Sequence, residues 1–343
     1  MYTDHYGLAE RPFQLTPDAR YWFESRTHKK AMAYLGYGLA QGEGFIVITG
    51  EIGAGKSTLV AHLMATIDRE RLNAISLVST QVEGDDMLRL AASGLGLETG
   101  NVTKAQLLDR VEHRLREEAS LGKRTLLVVD EAQNLPVSAL EELRMLSNFT
   151  SQGRALIQIF LLGQPEFRDR IAGEDSLEQL RQRVIASHHL DAMEANEVEP
   201  YMVHRLAVAG WQGRPGFEPD SFGALYRHSG GVPRKLNQLA NRVLLYAGVE
   251  RLETIGGHDV EAVAADMAAD RPASASTRVL PMRRAMAASE AAAEPSLADP
   301  SLERRIAAIE ARLDEQETAV RRVLTVLLDW AENESQPRRS NAA

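Results

Sequence analysis

Eight consecutive residues combine glycines, a lysine and a serine at the spacing of a phosphate-binding loop, G-x-x-x-x-G-K-[ST]. An apolar, β-branched run at 45–49 precedes them, and apolar residues at helical spacing follow as far as Ile67. A glycine-rich loop between a strand and a helix directs several backbone N–H groups and the helix N-terminus at one point, which suits a phosphate. The loop consists of Gly50, Glu51, Ile52, Gly53, Ala54, Gly55, Lys56 and Ser57, and Thr58 follows it.

This pattern predicts a site for ATP and Mg²⁺ at residues 50–58. Lys56 is expected to reach the β- and γ-phosphates, and the Ser57 hydroxyl is expected to ligate Mg²⁺. Asp130 and Glu131 follow a second apolar run at 125–129. An acidic residue at a strand end beside the loop can hold Mg²⁺, which is the role predicted for Asp130. Glu131 is then placed to orient and deprotonate the attacking water.

Composition agrees with a globular nucleotide-binding protein. The chain has 343 residues, enough for two domains, with 44% hydrophobic and 25% charged residues. It lacks cysteine, which excludes disulfides and thiolate metal sites. No signal peptide or transmembrane segment is visible, so a cytoplasmic location is expected. The net charge of −9 disfavours a large nonspecific surface for nucleic acid.

Alternating apolar runs and helical patterns predict an α/β domain at 1–192, with a mainly parallel sheet and helices on both faces. Residues 193–269 read as a small helical domain without further strands, and residues 148–151 and 210–216 read as loops. The predicted strands are 45–49, 74–79, 125–129, 156–162 and 184–190. The predicted helices are 29–39, 56–67, 86–95, 103–119, 138–149 and 176–181, then 196–209, 219–229, 233–247 and 258–268.

Two further segments differ in composition from the rest of the chain. The lead-in before residue 40 contains Phe13, Pro17, Tyr21, Trp22 and Phe23. These side chains could pack against an adenine ring or form ordinary core, and composition does not decide. Residues 270–300 are rich in Ala, Ser, Pro and Glu, which is typical of a flexible linker.

A heptad pattern follows the linker. It predicts a coiled-coil helix at 301–334, before a disordered tail at 335–343. Gln316 is the one polar position of the seam. The alternative is an amphipathic helix docked on the chain's own core or on a partner. The seam consists of Leu302, Ile306, Ile309, Leu313, Gln316, Val320, Val323, Leu327 and Trp330.

An αβα phosphate-loop domain followed by a helical lid resembles the plan of AAA+ ATPases. Residues 229–234, Ser-Gly-Gly-Val-Pro-Arg, look like the sensor 2 motif of that class. The resemblance implies that Arg234 touches the γ-phosphate. Gln164 ends the fourth strand of the predicted sheet and stands where AAA+ proteins carry sensor 1, so it is expected to polarise the attacking water.

Several stretches narrow this resemblance to the ExeA/GspA-like group of bacterial AAA+ ATPases. They are residues 6–8 with 12–13, residues 50–56, residues 130–135 and residues 162–166. Within the group, the chain is most similar to the ATPase associated with XrtA exosortase (PEP-CTERM) and exopolysaccharide systems. Secretion members of the group carry a transmembrane segment and a periplasmic domain; here a linker and heptad helix stand instead.

AAA+ proteins usually complete the site with an arginine from a neighbouring subunit, so the resemblance implies a homo-oligomer, either a ring or a filament. Arg183 precedes the fifth strand of the sheet, where such an arginine lies, and is the first candidate; Arg181 is the second. The alternative is that both arginines make charge pairs within their own subunit, which contribute little.

The sequence therefore predicts a Mg²⁺-dependent ATPase that drives assembly or regulation of an envelope export and exopolysaccharide apparatus. Export components would be contacted through the C-terminal helix, with peripheral attachment at the inner membrane through these partners. A DNA-binding ATPase of the transposition-regulator type is the alternative and is not favoured, because the core carries no dense basic segment. A nucleotide-gated scaffold without turnover is a third hypothesis, which the acidic pair of Asp130 and Glu131 disfavours.

Overall fold

The computed structural model describes residues 2–78 and 83–270, which belong to one compact unit. The predicted coiled coil, the predicted tail and all but the first residue of the predicted linker lie outside the described residues. In chain order the strands are β1 (Phe45–Gly50), β2 (Leu72–Val78), β3 (Arg124–Asp130), β4 (Thr150–Ser151), β5 (Arg154–Ala155), β6 (Ile157–Gly163), β7 (Val184–Leu190), β8 (Gly216–Phe217) and β9 (Thr254–Ile255).

The helices divide between an N-terminal αβα part and a C-terminal helical part. The first group is α1 (Tyr2–Tyr6), α2 (Arg26–Gln41), α3 (Lys56–Thr66), α4 (Gly84–Gly94), α5 (Lys104–Ser120), α6 (Val137–Leu146), α7 (Pro165–Gly173) and α8 (Glu178–Arg181). The second group, called the lid below, is α9 (Ala195–Val208), α10 (Pro219–Ser229), α11 (Pro233–Glu250) and α12 (Gly257–Ala269). Short 3₁₀ turns occur at Ala19–Tyr21, Ala132–Asn134 and Asp175–Leu177.

The predicted α/β fold is confirmed by a five-stranded sheet of order β2-β3-β6-β1-β7, in which every neighbouring pair is parallel. The three central strands β1, β3 and β6 are buried on both faces, which explains their almost continuous apolar composition. Alternate residues of β1 pack into opposite layers: Phe45 and Val47 contact one helical layer, Ile46 and Ile48 the other. Helices α4 to α7 form the first layer and α2 and α3 the second.

The strand register decides where the functional residues lie. Thr49 of β1 pairs with Gly163 of β6, and Val129 of β3 pairs with Leu161 of β6. The three central strands therefore end at the same edge of the sheet. The phosphate loop, the acidic pair and Gln164 are brought together there, although they are far apart in the sequence.

The structure differs from the sequence predictions at several elements. Residues 150–151, predicted as loop, form a hairpin with β5, because Gln152 and Gly153 both adopt positive φ (53° and 76°) as a two-residue turn requires. The lid, predicted without strands, contains the parallel pair β8–β9, a tertiary pairing that leaves no periodicity in either segment. Helix α7 was not predicted. The predicted helix at 176–181 is a 3₁₀ turn followed by the four-residue α8.

The lead-in connects the two parts of the unit. Tyr2, Tyr6 and Phe13 belong to the lid's apolar cluster, whereas Trp22 packs against the sheet layer of α2 and α3. The ring of Trp22 stacks on His62 with centroids 4.3 Å apart. The first residues of the chain, predicted as part of the α/β domain, thus pack on the lid. No helix among the described residues is long and apolar enough to cross a membrane.

Arg205 of α9 ties the lead-in to the lid. It is only 6% exposed, and its guanidinium donates to the backbone oxygens of Pro12 (2.7 Å) and Gln14 (3.3 Å). The same group lies over the Tyr21 ring at 4.6 Å. A planar donor set therefore satisfies backbone acceptors that would otherwise be buried without partners.

Replacing Arg205 by methionine should lower the free energy of unfolding by about 2–3 kcal/mol, since a buried carbonyl and a partly buried one lose their charged donor. Arg242→Met is the matched control: its side chain is 55% exposed and its contact with Asp270 is 3.8 Å long. The control should change stability by less than about 0.5 kcal/mol. Denaturant unfolding without nucleotide measures both, and equal effects would contradict the role given to Arg205.

Candidate nucleotide site

Lys56 begins α3 at the end of the phosphate loop and is buried, with 7% of its surface exposed. Its Nζ donates to the backbone oxygens of Gly50 (2.7 Å) and Glu51 (3.1 Å). Burial lowers the pKa of the Lys56 amine, and the charges of Glu131 and Asp130 oppose that shift. Within residues 2–78 and 83–270 no carboxylate forms an ion pair with Lys56, so its charge is available to a phosphate.

Ser57 and Asp130, the two residues predicted to hold Mg²⁺, contact each other. The Ser57 hydroxyl donates to Asp130 Oδ2 at 3.2 Å, and Asp130 Oδ1 accepts from the backbone N–H of Glu131 at 2.9 Å. A hydroxyl and a carboxylate at hydrogen-bond distance are the hard donor set that Mg²⁺ takes alongside phosphate oxygens. The residues present therefore fit the predicted metal.

Glu131 adopts a left-handed backbone conformation with φ of 56°. Its carboxylate Oε2 accepts from Gln133 Nε2 at 2.5 Å and lies 3.5 Å from Gln164 Nε2. The structure thus brings Gln164, the residue at the sensor 1 position implied by the AAA+ resemblance, to Glu131. Gln133 was missed by the sequence analysis, because a glutamine in a polar turn carries no signal of a partner.

The lid contacts the phosphate loop directly. The backbone N–H of Arg234, in the first turn of α11, donates to Gly53 O at 3.1 Å. Gly53 has φ of +85°, and a Cβ at this position would lie 2.3 Å from Arg234 Cβ. Only glycine permits this approach. The N-terminus of a lid helix is therefore bonded to the loop predicted to hold phosphate.

His28 packs against the phosphate loop, and the sequence analysis did not identify it. A Cβ on Gly55 would lie 2.6 Å from His28 Nε2, and His28 Nδ1 is 2.6 Å from Ser25 Oγ. Burial lowers the pKa of His28 to about 4, although its bond to the Gly55 backbone acts in the opposite direction. The imidazole is accordingly neutral at physiological pH. A single histidine in a helix gives no sequence indication of this contact.

A cavity of about 530 Å³ lies between the phosphate loop and the lid. The phosphate loop, Glu131 and Gln164 line one side, and the lid and lead-in line the other. Pro17, Tyr21, Trp22 and Phe23 of the lead-in line this cavity, whereas Phe13 belongs to the lid's apolar cluster. Packing of the lead-in against an adenine ring stays a prediction. The lining from the lead-in and lid comprises Leu15, Pro17, Tyr21, Trp22, Phe23, Met193, Tyr201, Arg205, Pro233, Arg234 and Asn237.

Arg181 and Arg183 do not line this cavity. Arg183 Nη1 donates to Ser147 Oγ (3.0 Å) and Ser147 O (3.3 Å). Arg181 Nη1 donates to the backbone oxygens of Ile171 (3.1 Å) and Ala172 (2.8 Å), and the guanidinium also pairs with Glu178. Both candidates for the trans arginine thus have partners within their own subunit.

The sheet order, the loop after the central strand β1, the acidic pair at the end of β3 and the helical lid define an α/β P-loop NTPase fold of the AAA+ type. Residues 39–171 match the model of the AAA domain. General secretion pathway protein A of Aeromonas hydrophila is 37% identical over 248 residues, which span 72% of this chain and 45% of that protein. Together these two matches support an ExeA/GspA-like AAA protein.

Solved structures agree on the fold. The ORC2 protein of Aeropyrum pernix superimposes with a TM-score of 0.55 at 14% identity, over 75% of this chain and 71% of that one. Cdc6p of Pyrobaculum aerophilum gives a TM-score of 0.61 at 13% identity, over 74% and 70% of the two chains. At this identity the likeness establishes architecture alone.

Gly53→Ala should weaken ATP binding by about tenfold or more, a free-energy change of about 1.4 kcal/mol, because the new methyl group displaces Arg234 and with it the lid. Gly96→Ala is the matched control: its φ of +76° carries the same backbone strain, but nothing lies within 4 Å of its Cβ. Titration with a fluorescent ATP analogue measures both affinities. Equal losses in the two variants would show that the Arg234 contact is irrelevant.

Proposed function

We propose that the chain is a Mg²⁺-dependent ATPase that couples ATP binding and hydrolysis to the assembly or regulation of an envelope export apparatus. The observation that carries the proposal is the single cavity that Lys56, Ser57, Glu131 and Arg234 line together. A cation, a hydroxyl that can ligate Mg²⁺, a carboxylate base and a lid arginine are parts that phosphoryl transfer to water requires. Asp130, which accepts a hydrogen bond from Ser57, would add the second metal ligand.

Lys56 would bind the β- and γ-phosphates, because its amine is held by two loop carbonyls rather than by a carboxylate. Ser57 and Asp130 would hold Mg²⁺, which when bound neutralises phosphate charge. The remaining loop residues, with Thr58 at the start of α3, would offer backbone N–H groups to the phosphates.

Glu131 would accept a proton from the attacking water, and its position between Gln133 and Gln164 supports this role. Gln164 would help to orient the same water through its amide. Arg234 would add positive charge at the γ-phosphate from the lid side, where its backbone is already bonded to Gly53. Negative charge that develops during phosphoryl transfer would thereby be stabilised by groups on several sides of the γ-phosphate.

The export assignment derives support from the similarity to General secretion pathway protein A. Motifs in the sequence favour the XrtA and exopolysaccharide branch of such systems, with partners bound through the heptad segment at 301–334. The DNA-binding alternative has no supporting observation among the described residues. Salt-sensitive, ATP-dependent binding of duplex DNA would instead support the DNA-binding alternative.

The proposed oligomer would place an arginine of one subunit at its neighbour's γ-phosphate. Arg183 is the first candidate and Arg181 the second, and each would have to leave its in-chain partners to act in this way. Among the described residues the Arg183 guanidinium bonds only to Ser147, while Arg181 also pairs with a carboxylate, so freeing Arg183 would break fewer interactions.

Lys56→Ala should abolish tight ATP binding, because the phosphates lose their main cation. Glu131→Gln should keep ATP binding and slow hydrolysis by roughly 10²-fold or more, the usual effect of losing a general base. Nucleotide titration and phosphate release measured on both variants separate binding from chemistry. Wild-type turnover by Glu131→Gln would mean that the base is another group.

Arg183→Ala should lower hydrolysis by about 10³-fold with nucleotide affinity unchanged, as for other trans arginines. Mixing it with Lys56→Ala should restore turnover at interfaces that join an intact loop to an intact arginine. Ser147→Ala is the control, because it removes the in-chain hydroxyl partner and spares the guanidinium. If co-assembled mixtures stay inactive, or if Ser147→Ala alone reproduces the loss, Arg183 acts only within its own subunit.

A further inference from the structure

Gln133 uses both ends of its side-chain amide at the proposed active site. Its Nε2 donates to Glu131 Oε2 at 2.5 Å, and its Oε1 accepts the backbone N–H of Gln164 at 3.0 Å. The side chain therefore bridges the carboxylate of Glu131, which follows β3, and the backbone of Gln164, which follows β6. Gln133 itself does not line the nucleotide cavity.

The far end of this bridge is anchored to α7. Gln164 immediately precedes that helix, and Arg170 of α7 donates from Nη1 to the backbone oxygen of Leu135 at 2.6 Å. The 3₁₀ turn Ala132–Asn134 is thus bonded to the α7 region at two places. Gln133 accepts from Gln164, the residue before α7, and Leu135, the residue after the turn, accepts from Arg170 of α7. Phe167 of the same helix is fully buried in the sheet layer, which makes α7 a firm support.

Glu131 itself is held weakly by other groups. Its backbone has a positive φ, and Gln164 Nε2 approaches the same oxygen only at 3.5 Å. Among the described residues the Gln133 bond is therefore the short contact that selects the direction of the carboxylate.

We propose that Gln133 is a positioning residue that aims the Glu131 carboxylate at the attacking water by bridging it to the backbone ahead of α7. The inference rests on the proposed ATPase function and extends it to a residue outside the cavity. It assigns Gln133 a role in turnover and none in nucleotide affinity.

Gln133→Ala should lower kcat by about tenfold, less than the roughly 10²-fold or greater loss expected from removing the base. KM and the affinity for a slowly hydrolysed ATP analogue should stay at wild-type values. Asn134→Ala is the matched control, an exposed position in the same turn, and should leave kcat unchanged. Added to Glu131→Gln, the Gln133→Ala change should cause no further loss, because it acts through Glu131.

Wild-type kcat in Gln133→Ala would overturn the inference while leaving the ATPase function intact. A parallel fall in kcat and nucleotide affinity would overturn it too, since that marks a structural role. A wild-type chain that binds ATP and Mg²⁺ without any turnover would instead overturn the proposed function, and this inference with it.

Discussion

An ammonium group inside a protein is costly unless hydrogen bonds and nearby negative charge compensate for its lost hydration. Lys56 has two loop carbonyls as bonding partners and the carboxylates of Asp130 and Glu131 as neighbouring charges. Burial still lowers its pKa, so compensation from the protein alone is incomplete. A bound phosphate would supply the missing negative charge, which gives the loop a reason to bind one.

The rest of the architecture follows from keeping that amine beside the acidic pair. Parallel pairing of β1 with β6 and of β6 with β3 places three strand ends at one edge. The helices that cover both faces exclude water from the strands, and the sheet becomes a rigid base for loops that would otherwise be mobile. The lid and the lead-in form the other side of the site. The Arg234 backbone of the lid is bonded to Gly53, and a hydrogen bond from Arg205 of α9 holds the lead-in.

Much of this arrangement could be predicted from the sequence, because local signals carry it. The loop has a strict residue pattern, and the five sheet strands are rich in apolar residues, so their predicted bounds fell within two residues of those observed. The acidic pair was assignable because it follows such a run, whereas Gln164 was assigned through the resemblance to AAA+ proteins. These features depend on residues close together in the chain.

What could not be predicted depends on contacts between distant segments. The pairing of β8 with β9 joins residues far apart in the lid, and the packing of Tyr2 and Tyr6 on the lid is set by tertiary fit. Gln133 and His28 became visible only through their contacts with Glu131 and Gly55. The oligomer, the coiled coil and the export partner remain predictions.

The central claim is that one phosphate site is formed jointly by the loop at residues 50–57 and the lid around Arg234. Amide hydrogen exchange of the full chain, with and without Mg²⁺ and a slowly hydrolysed ATP analogue, tests this claim most directly. The account predicts that nucleotide slows exchange in peptides covering 50–57 and in those covering 231–237. Protection of the loop without the lid, or of neither, would contradict it.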